Sequence, residues 1–283
     1  METHDVHEAI AGIRQLPTLP AVIGRILSTA ADPESSALDL GRHIAADQSL
    51  TAMLLRLVNS AYYGLYRQVD SIAEAIVMLG FLEVRNLALT ATAFRTLGDP
   101  TTEFDRRQLW AHALAAALAA ERCATLARLK VGGVFESALL HDIGKTVLDV
   151  LYPTAYTDVI HIAQEESRYL RDIERETFGL DHAAAGAILA EHWNLPPAVC
   201  AAISRHHDRL DATEDCPLVP LTMLANYVAY EAGLGEYSNG QPPVFPGEAL
   251  IRLGLNREGV APATSALLSQ RDHVVEFAGL LAG

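Results

Sequence analysis

Apolar residues recur along the chain at the three- and four-residue spacing of helices, and no segment shows the strict alternation of a strand. In one example, Asp47 precedes an apolar stripe of Leu50, Leu54 and Leu57 and can cap its first turn. Similar stripes predict helices at about 4–14, 71–79, 81–97, 103–128, 154–166, 169–178, 198–205, 218–232 and 247–253, and a last one from Asn256 to Leu281. The pattern therefore predicts an all-α fold.

The composition agrees with an all-α fold and narrows the classes of function. Hydrophobic residues make up 50% of the 283 positions and aromatic residues only 6%, a balance that favours helices. The net charge of −14 argues against nucleic acid or an anionic membrane surface as a partner. No apolar run reaches the ~18 residues of a membrane span. The odd number of cysteines, Cys123, Cys200 and Cys216, indicates reduced thiols and a cytoplasmic location.

The clearest candidate for chemistry is the segment around His141 and Asp142, which follow the apolar run Ala138-Leu139-Leu140. A neutral imidazole beside a carboxylate suits a divalent ion, with Fe or Mn expected and Zn or Ni as alternatives. We expect Gly144 to form a turn after this pair, so that Lys145 either contacts a phosphate or lies on the surface. Asp149, one turn further, either orients Lys145 or faces solvent. A His-Asp pair can also form part of a buried hydrogen-bonded network.

Further histidines fall at helix positions from which they can converge on this pair. His112 lies among alanines in a long helix, His182 opens another helix, and His206 and His207 follow the end of a third. Metal sites in helical bundles are built from side chains of several facing helices in this way. Four further histidines, His43, His161, His192 and His273, are expected to lie outside the site.

Four blocks of sequence in the first half strongly resemble the HDOD family, the HD-related output domain of bacterial signalling proteins. They are Leu16-Pro17-Thr18-Leu19-Pro20, Asp47-Gln48-Ser49-Leu50-Thr51, Leu57-Val58-Asn59-Ser60-Ala61-Tyr62-Tyr63-Gly64 and Ser71 through Gly80. The resemblance implies an N-terminal helical lobe at 1–98 and an HD-like lobe with a C-terminal helical extension at 99–283. The segment Asp99-Pro100-Thr101-Thr102 is the expected hinge.

The same resemblance implies a metal site and two departures from it. By resemblance, the ligands are His112, His141, Asp142, His182, His206 and His207. The position of the family's last aspartate is taken by Asn226, which is at most a weak, neutral ligand. The Gly-Tyr-Pro segment of the related phosphodiesterases is also missing after His207. Both departures weigh against hydrolysis.

Three functions follow from these observations. The leading hypothesis is a non-enzymatic signalling module whose metal or bound ligand fixes a surface for partner proteins. The alternative is a metal-dependent phosphohydrolase acting on a nucleotide or cyclic dinucleotide, in which Asp142 bridges the ions and Lys145 assists the phosphate. The third is a structural adaptor without metal. The loop at 233–247 is expected to cover the surface or act as a lid, and the last helix to pack on the domain or form a homodimer contact.

Overall fold

The computed structural model describes residues 6–14, 16, 20, 22–26, 36–60, 62–96, 105–210, 215–235 and 240–281. These residues are helical or irregular and contain no strand, which confirms the predicted all-α fold. The helices are, in chain order, α1 (Val6–Ile13), α2 (Ala37–Ala45), α3 (Gln48–Val58), α4 (Ile72–Leu79), α5 (Phe81–Thr96), α6 (Arg106–Leu126), α7 (Val134–Leu140), α8 (Ile143–Leu151), α9 (Pro153–Glu165), α10 (Leu170–Phe178), α11 (His182–His192), α12 (Pro197–Arg205), α13 (Leu218–Ala229), α14 (Gly247–Arg252), α15 (Arg257–Ser269) and α16 (Arg271–Leu281). A short helical segment at 22–26 lies between α1 and α2. None of the described helices is both long and apolar enough to cross a membrane.

The helices divide into two compact units. The first unit takes in the described parts of Met1–Leu16 and Asp99–Asp272, and the second unit those of Pro17–Gly98 and His273–Gly283. The division therefore differs from lobes at 1–98 and 99–283, because α1 packs with the first unit and most of α16 with the second. The expected hinge at 99–102 lies outside the described residues.

The second unit is a small bundle of α2 to α5 completed by α16. Ser36 and Asp47 accept hydrogen bonds from backbone N–H groups in the first turns of α2 and α3, as N-cap residues do. The single last helix predicted from Asn256 is wrong, since it is broken at Gln270 into α15 and α16. Phe277 of α16 is buried and its ring lies 4.9 Å from that of Tyr62. The aromatic residues at 62 and 63 therefore pack inside this unit.

The first unit is built around α6, whose alanines let neighbouring helices approach closely. Its buried small residues are Ala111, Ala113, Ala115, Ala116, Ala117, Ala119, Ala120 and Ala124. Helices α7 and α13 pack against this surface, while α8 packs on α11 and α11 on α12. The predicted helix at 218–232 ends as α13 at Ala229 and continues as a π-helical turn, Tyr230–Leu234. This arrangement brings α6, α8, α11 and α12 together around one buried point.

Gly144 does not form the predicted turn, because it lies inside α8. Its role is close packing: a Cβ atom at this position would lie 1.9 Å from the backbone oxygen of His182 and 2.7 Å from the nitrogen of Gly186. Both atoms belong to the backbone of α11 and cannot move independently. Glycine at 144 is therefore what lets α8 and α11 touch.

We expect Gly144→Ala to destabilise the protein by at least about 1–3 kcal/mol, the usual cost of overpacking a tight contact. The free energy of unfolding in urea is the measurement. Gly132→Ala is the matched control, since its Cβ would meet no atom within 4 Å. Equal stability of the two variants would show that α8 and α11 can separate without cost.

Candidate metal centre

His141 and Asp142 lie in the turn between α7 and α8, and both are buried. The ring of His141 is held by its own helix, because its Nδ1 lies 2.7 Å from the carbonyl oxygen of Ala138. The Asp142 carboxylate points into the interior of the first unit, where its two oxygens face different groups of histidines.

The first cluster consists of His112, His141 and Asp142. Asp142 Oδ2 lies 3.3 Å from His141 Nε2 and 3.7 Å from His112 Nε2. The two imidazole Nε2 atoms lie 3.3 Å from each other. On its other side, His112 Nδ1 lies 2.8 Å from the carbonyl oxygen of Leu234, which the π-helical turn presents.

The second cluster consists of Asp142, His182, His206 and His207. Asp142 Oδ1 lies 3.4 Å from Nε2 of both His182 and His206. His182 Nε2 lies 2.9 Å from His207 Nε2. His206 Nδ1 lies 2.7 Å from the carbonyl oxygen of Ile203. The structure thus brings all six of the predicted ligand residues together, with Asp142 shared between two clusters.

The hydrogen bonds on the outer side of these rings fix their protonation. A carbonyl oxygen only accepts, so Nδ1 of His112, His141 and His206 must each carry the proton. In the neutral rings Nε2 is then a lone pair directed into the cluster. Metal-bound histidines are oriented in this way, by donating the other ring N–H to a carbonyl or carboxylate.

At two places in the clusters, buried acceptor atoms lie close to other acceptors or lack a hydrogen-bond donor. The lone pairs of His112 Nε2 and His141 Nε2 face each other across 3.3 Å. In addition, Asp142 Oδ1 and His206 Nε2 are buried acceptors with no hydrogen-bond partner among the described residues. Buried acceptors that face one another are costly unless a proton or a metal ion lies between them. The donor set of imidazoles and one carboxylate fits a divalent ion.

The electrostatics of the site keep most of its histidines neutral. Burial lowers the pKa of His112 and of His206 to about 4, and it also lowers the pKa of His207. Burial acts against protonation of His182 too, but the adjacent Glu174 carboxylate outweighs it and raises the pKa of that ring. Burial raises the pKa of Asp142, yet His141 and Lys145 lower it well below its usual range. Neutral imidazoles and an ionised carboxylate are the forms that bind metal.

Lys145 and Asp149 do not lie on the surface. Lys145 is only 1% exposed, and its Nζ donates to Asp142 Oδ2 over 2.8 Å. Asp149 does not face solvent, since it is fully buried and accepts a hydrogen bond of 2.9 Å from Nε of Arg106. Asn226 lines a cavity together with Asp142 and Lys145.

Sequence reasoning missed Glu174, on α10. One carboxylate oxygen of Glu174, Oε2, accepts from His182 Nδ1 at 2.6 Å and from the His182 backbone N–H at 2.9 Å. The other oxygen accepts from the hydroxyl of Tyr156 at 3.0 Å. In the sequence, Glu174 stands in a helix of many charged residues, and nothing in that pattern separates it from its exposed neighbours.

A cavity of about 480 Å³ opens beside the second cluster. Asp142, His182, His206 and His207 line it together with Lys145. Its lining also includes Tyr169, Arg171, Arg209, Asn226, Gln241, the segment 243–249 and other nearby residues. Arg171 also donates to the carbonyl oxygen of His207, 2.9 Å away, and so holds that residue's backbone. The volume is in the range of small-molecule sites.

The other histidines lie elsewhere, as expected. His43 and His161 belong to α2 and α9, and the side chain of His161 is exposed. His192 makes a hydrogen bond with the carbonyl oxygen of Leu16, and His273 packs against Tyr62. None of these four belongs to either cluster among the described residues.

Comparison with known proteins gives matches over most of the chain. A model of the HDOD domain matches residues 16–209. An uncharacterised protein of Treponema pallidum (strain Nichols) is 30% identical over 217 residues, which are 76% of this chain but only 42% of the relative. The chain thus spans less than half the length of that relative.

Two solved structures share the fold. An HDOD domain protein of unknown function from Geobacter sulfurreducens matches with a TM-score of 0.81 and 26% identity, covering 96% of each chain. A Shewanella amazonensis protein proposed to be a phosphohydrolase matches with a TM-score of 0.76 and 21% identity, covering 97% of this chain and 98% of the other. At that identity the second likeness concerns the fold alone.

Proposed function

The chain belongs to the HDOD domain family, and from that premise we propose that it is a metal-dependent signalling module. Its His/Asp clusters bind divalent ions, and the cavity beside them takes up a small anionic ligand. Occupancy of this site then fixes a surface that partner proteins recognise. In this proposal the protein is a cytoplasmic regulator and turns over no substrate.

The observation that carries the proposal is the set of opposed acceptors at Asp142. A hydrogen-bonded network without metal would place a donor against each acceptor, whereas here the N–H groups of His112, His141 and His206 all point away from the cluster. In an adaptor without metal this orientation of the rings would be unfavourable, because it leaves buried acceptors facing one another. A bound cation would remove this cost, because the ring nitrogens and the Asp142 oxygen would then coordinate it.

We propose that the site binds two ions, one in each cluster. His112 and His141 would hold one ion and His182, His206 and His207 the other, with Asp142 contributing an oxygen to each. Bound ions of this kind act as Lewis acids and lower the pKa of coordinated water. Imidazole and carboxylate donors suit Fe or Mn, and also Zn or Ni. Lys145 lies on the Asp142 side of the cavity, where its ammonium can meet a phosphate oxygen of a ligand.

Hydrolysis of a phosphate ester, a nucleotide or cyclic dinucleotide, is the second candidate function. It is favoured by the shared carboxylate, since a bridging ligand is how paired ions are held for phosphoryl chemistry. The name of the Shewanella amazonensis protein suggests the same reaction. Against it stands the neutral Asn226 on the cavity wall, because fewer carboxylates neutralise two dications less well.

The surface for a partner is proposed on the second unit. Leu38, Val77 and Leu82 are large apolar side chains that lie exposed on α2, α4 and α5 of that unit. Exposed apolar groups of this size often mark contacts between proteins. A signalling protein is the expected partner, and a second copy of this chain is the alternative.

The proposal is tested by elemental analysis of freshly purified protein, followed by removal of metal with a chelator. We expect a divalent metal in the purified protein and a lower melting temperature after chelation, because an ion bound only to the native state stabilises it. Turnover of bis(p-nitrophenyl) phosphate by the reloaded protein would favour hydrolysis over the non-enzymatic module. Protein free of metal, with a melting temperature that a chelator leaves unchanged, would contradict both functions.

A further inference from the structure

Glu174 is a fully buried carboxylate that makes three hydrogen bonds, and two of them go to His182. His182 is the first residue of α11, so its backbone N–H has no partner within the helix. Glu174 satisfies this N–H and the ring Nδ1 with the same oxygen atom. It therefore fixes both the start of the helix and the rotation of the imidazole.

The contact determines which nitrogen of the His182 ring points to the cluster. Because the carboxylate accepts from Nδ1, the proton stays on that nitrogen and the lone pair of Nε2 points into the cluster. His207 Nε2 lies 2.9 Å and Asp142 Oδ1 3.4 Å from this Nε2. A carboxylate that accepts from the outer nitrogen also makes the ring a more basic ligand. Of the four rings with a partner on Nδ1, His182 has a carboxylate there, whereas the others have carbonyl oxygens.

The charge of the site gives this contact further weight. Among the described members of the two clusters, Asp142 is the sole carboxylate, and the buried Lys145 ammonium already lies against it. Asn226, on the wall of the adjoining cavity, adds no charge. Glu174 brings a second negative charge to the site, next to the outer nitrogen of the His182 ring.

We propose that Glu174 is the positioning residue of the second cluster, which orients His182 and supplies through it the negative charge that the ligands lack. The inference rests on the proposed function, since it assumes that the clusters bind metal. It assigns to Glu174 no contact with the ion or with a ligand in the cavity. Its effect is confined to the second cluster.

The experiment compares Glu174→Gln with the wild-type protein after removal of metal and titration with Mn²⁺ or Co²⁺ alone. Glutamine can keep all three hydrogen bonds, because its amide oxygen can accept from His182 and its amide group can donate to the Tyr156 hydroxyl. We expect the ion of the second cluster to bind about 10–100-fold more weakly, as when an outer partner of a ligand histidine is changed. The ion of the first cluster should bind as before, which also shows that the variant is folded.

Co²⁺ gives a second readout, since its absorption spectrum reports the ligand geometry. The spectrum of the second cluster should change in Glu174→Gln and remain unchanged in Glu176→Gln, a control on the exposed side of the same helix. Wild-type affinity and spectrum for both ions in Glu174→Gln would overturn the role of Glu174. Failure of the wild-type protein itself to take up either ion would instead overturn the proposed function.

Discussion

Replacement of Asp142 by asparagine is expected to remove metal from both clusters at once. Each carboxylate oxygen faces a different group of histidines, Oδ2 the pair His112 and His141 and Oδ1 the rings of His182 and His206. Asparagine keeps the shape of the side chain but loses the charge and one acceptor oxygen. Since changing even an outer partner costs about 10–100-fold in metal affinity, loss of the shared ligand should cost more than about 100-fold for each ion.

Asparagine is preferable to alanine here because of Lys145. The ammonium of Lys145 is buried against Asp142 Oδ2, and alanine would leave it with no oxygen at that position. The metal content of purified protein is the measurement, with Asp158→Asn on the exposed face of α9 as the matched control. Retention of one ion in Asp142→Asn would mean that a cluster binds without the shared carboxylate, and the paired arrangement would then be wrong.

Local sequence signals predicted the helices well because they act within a few residues. Ser36, Asp47, Asp181 and Asn256 all accept hydrogen bonds from backbone N–H groups at the starts of their helices. Each of them is a short polar residue just ahead of an apolar stripe, which is the pattern of an N-cap. The predicted last helix is too long because the apolar stripe continues without a change of period across Gln270, where the chain nevertheless bends.

A family resemblance and the positions of the helices predict the candidate ligands, but they do not predict the residues that surround those ligands. The sequence predicts a turn at Gly144 because glycine frees the backbone. In the structure glycine is needed there because the backbone of α11 packs against it, at His182, 38 residues further along the chain. Glu174 and the carbonyl oxygen of Leu234 orient ligand rings from separate elements. Such partners leave no periodicity in the sequence, since only the tertiary fold brings them to the site.

Asp149 illustrates the same limit and leads to the largest stability effect that we expect. Its carboxylate and the Arg106 guanidinium are 0% and 1% exposed, and they form a buried ion pair between α8 and the first turn of α6. Breaking a buried ion pair by removing one partner typically costs about 3–5 kcal/mol. Asp149→Leu and Arg106→Met should therefore each lower the free energy of unfolding in urea by that amount.

The double variant Arg106→Met, Asp149→Leu separates the charge from the packing. With both charges gone the interior holds apolar groups of similar size, a replacement that is often neutral or stabilising. We therefore expect the double variant to regain most of the stability that either single variant loses, with a coupling energy of several kcal/mol. Fluorescence of Trp110 and Trp193 can follow the transition, since both tryptophans lie buried in the same unit as the pair.

An exposed ion pair supplies the comparison that tests this reasoning. Arg168 and Glu176 form a salt bridge on the surface of the first unit, where Glu176→Gln should cost less than about 1 kcal/mol. The contrast follows from desolvation, because an exposed arginine that loses its partner is hydrated again and a buried one is not. Additive losses in the Arg106 and Asp149 variants would show that the two residues act through packing alone. The first unit would then owe its stability at this point to shape and not to charge.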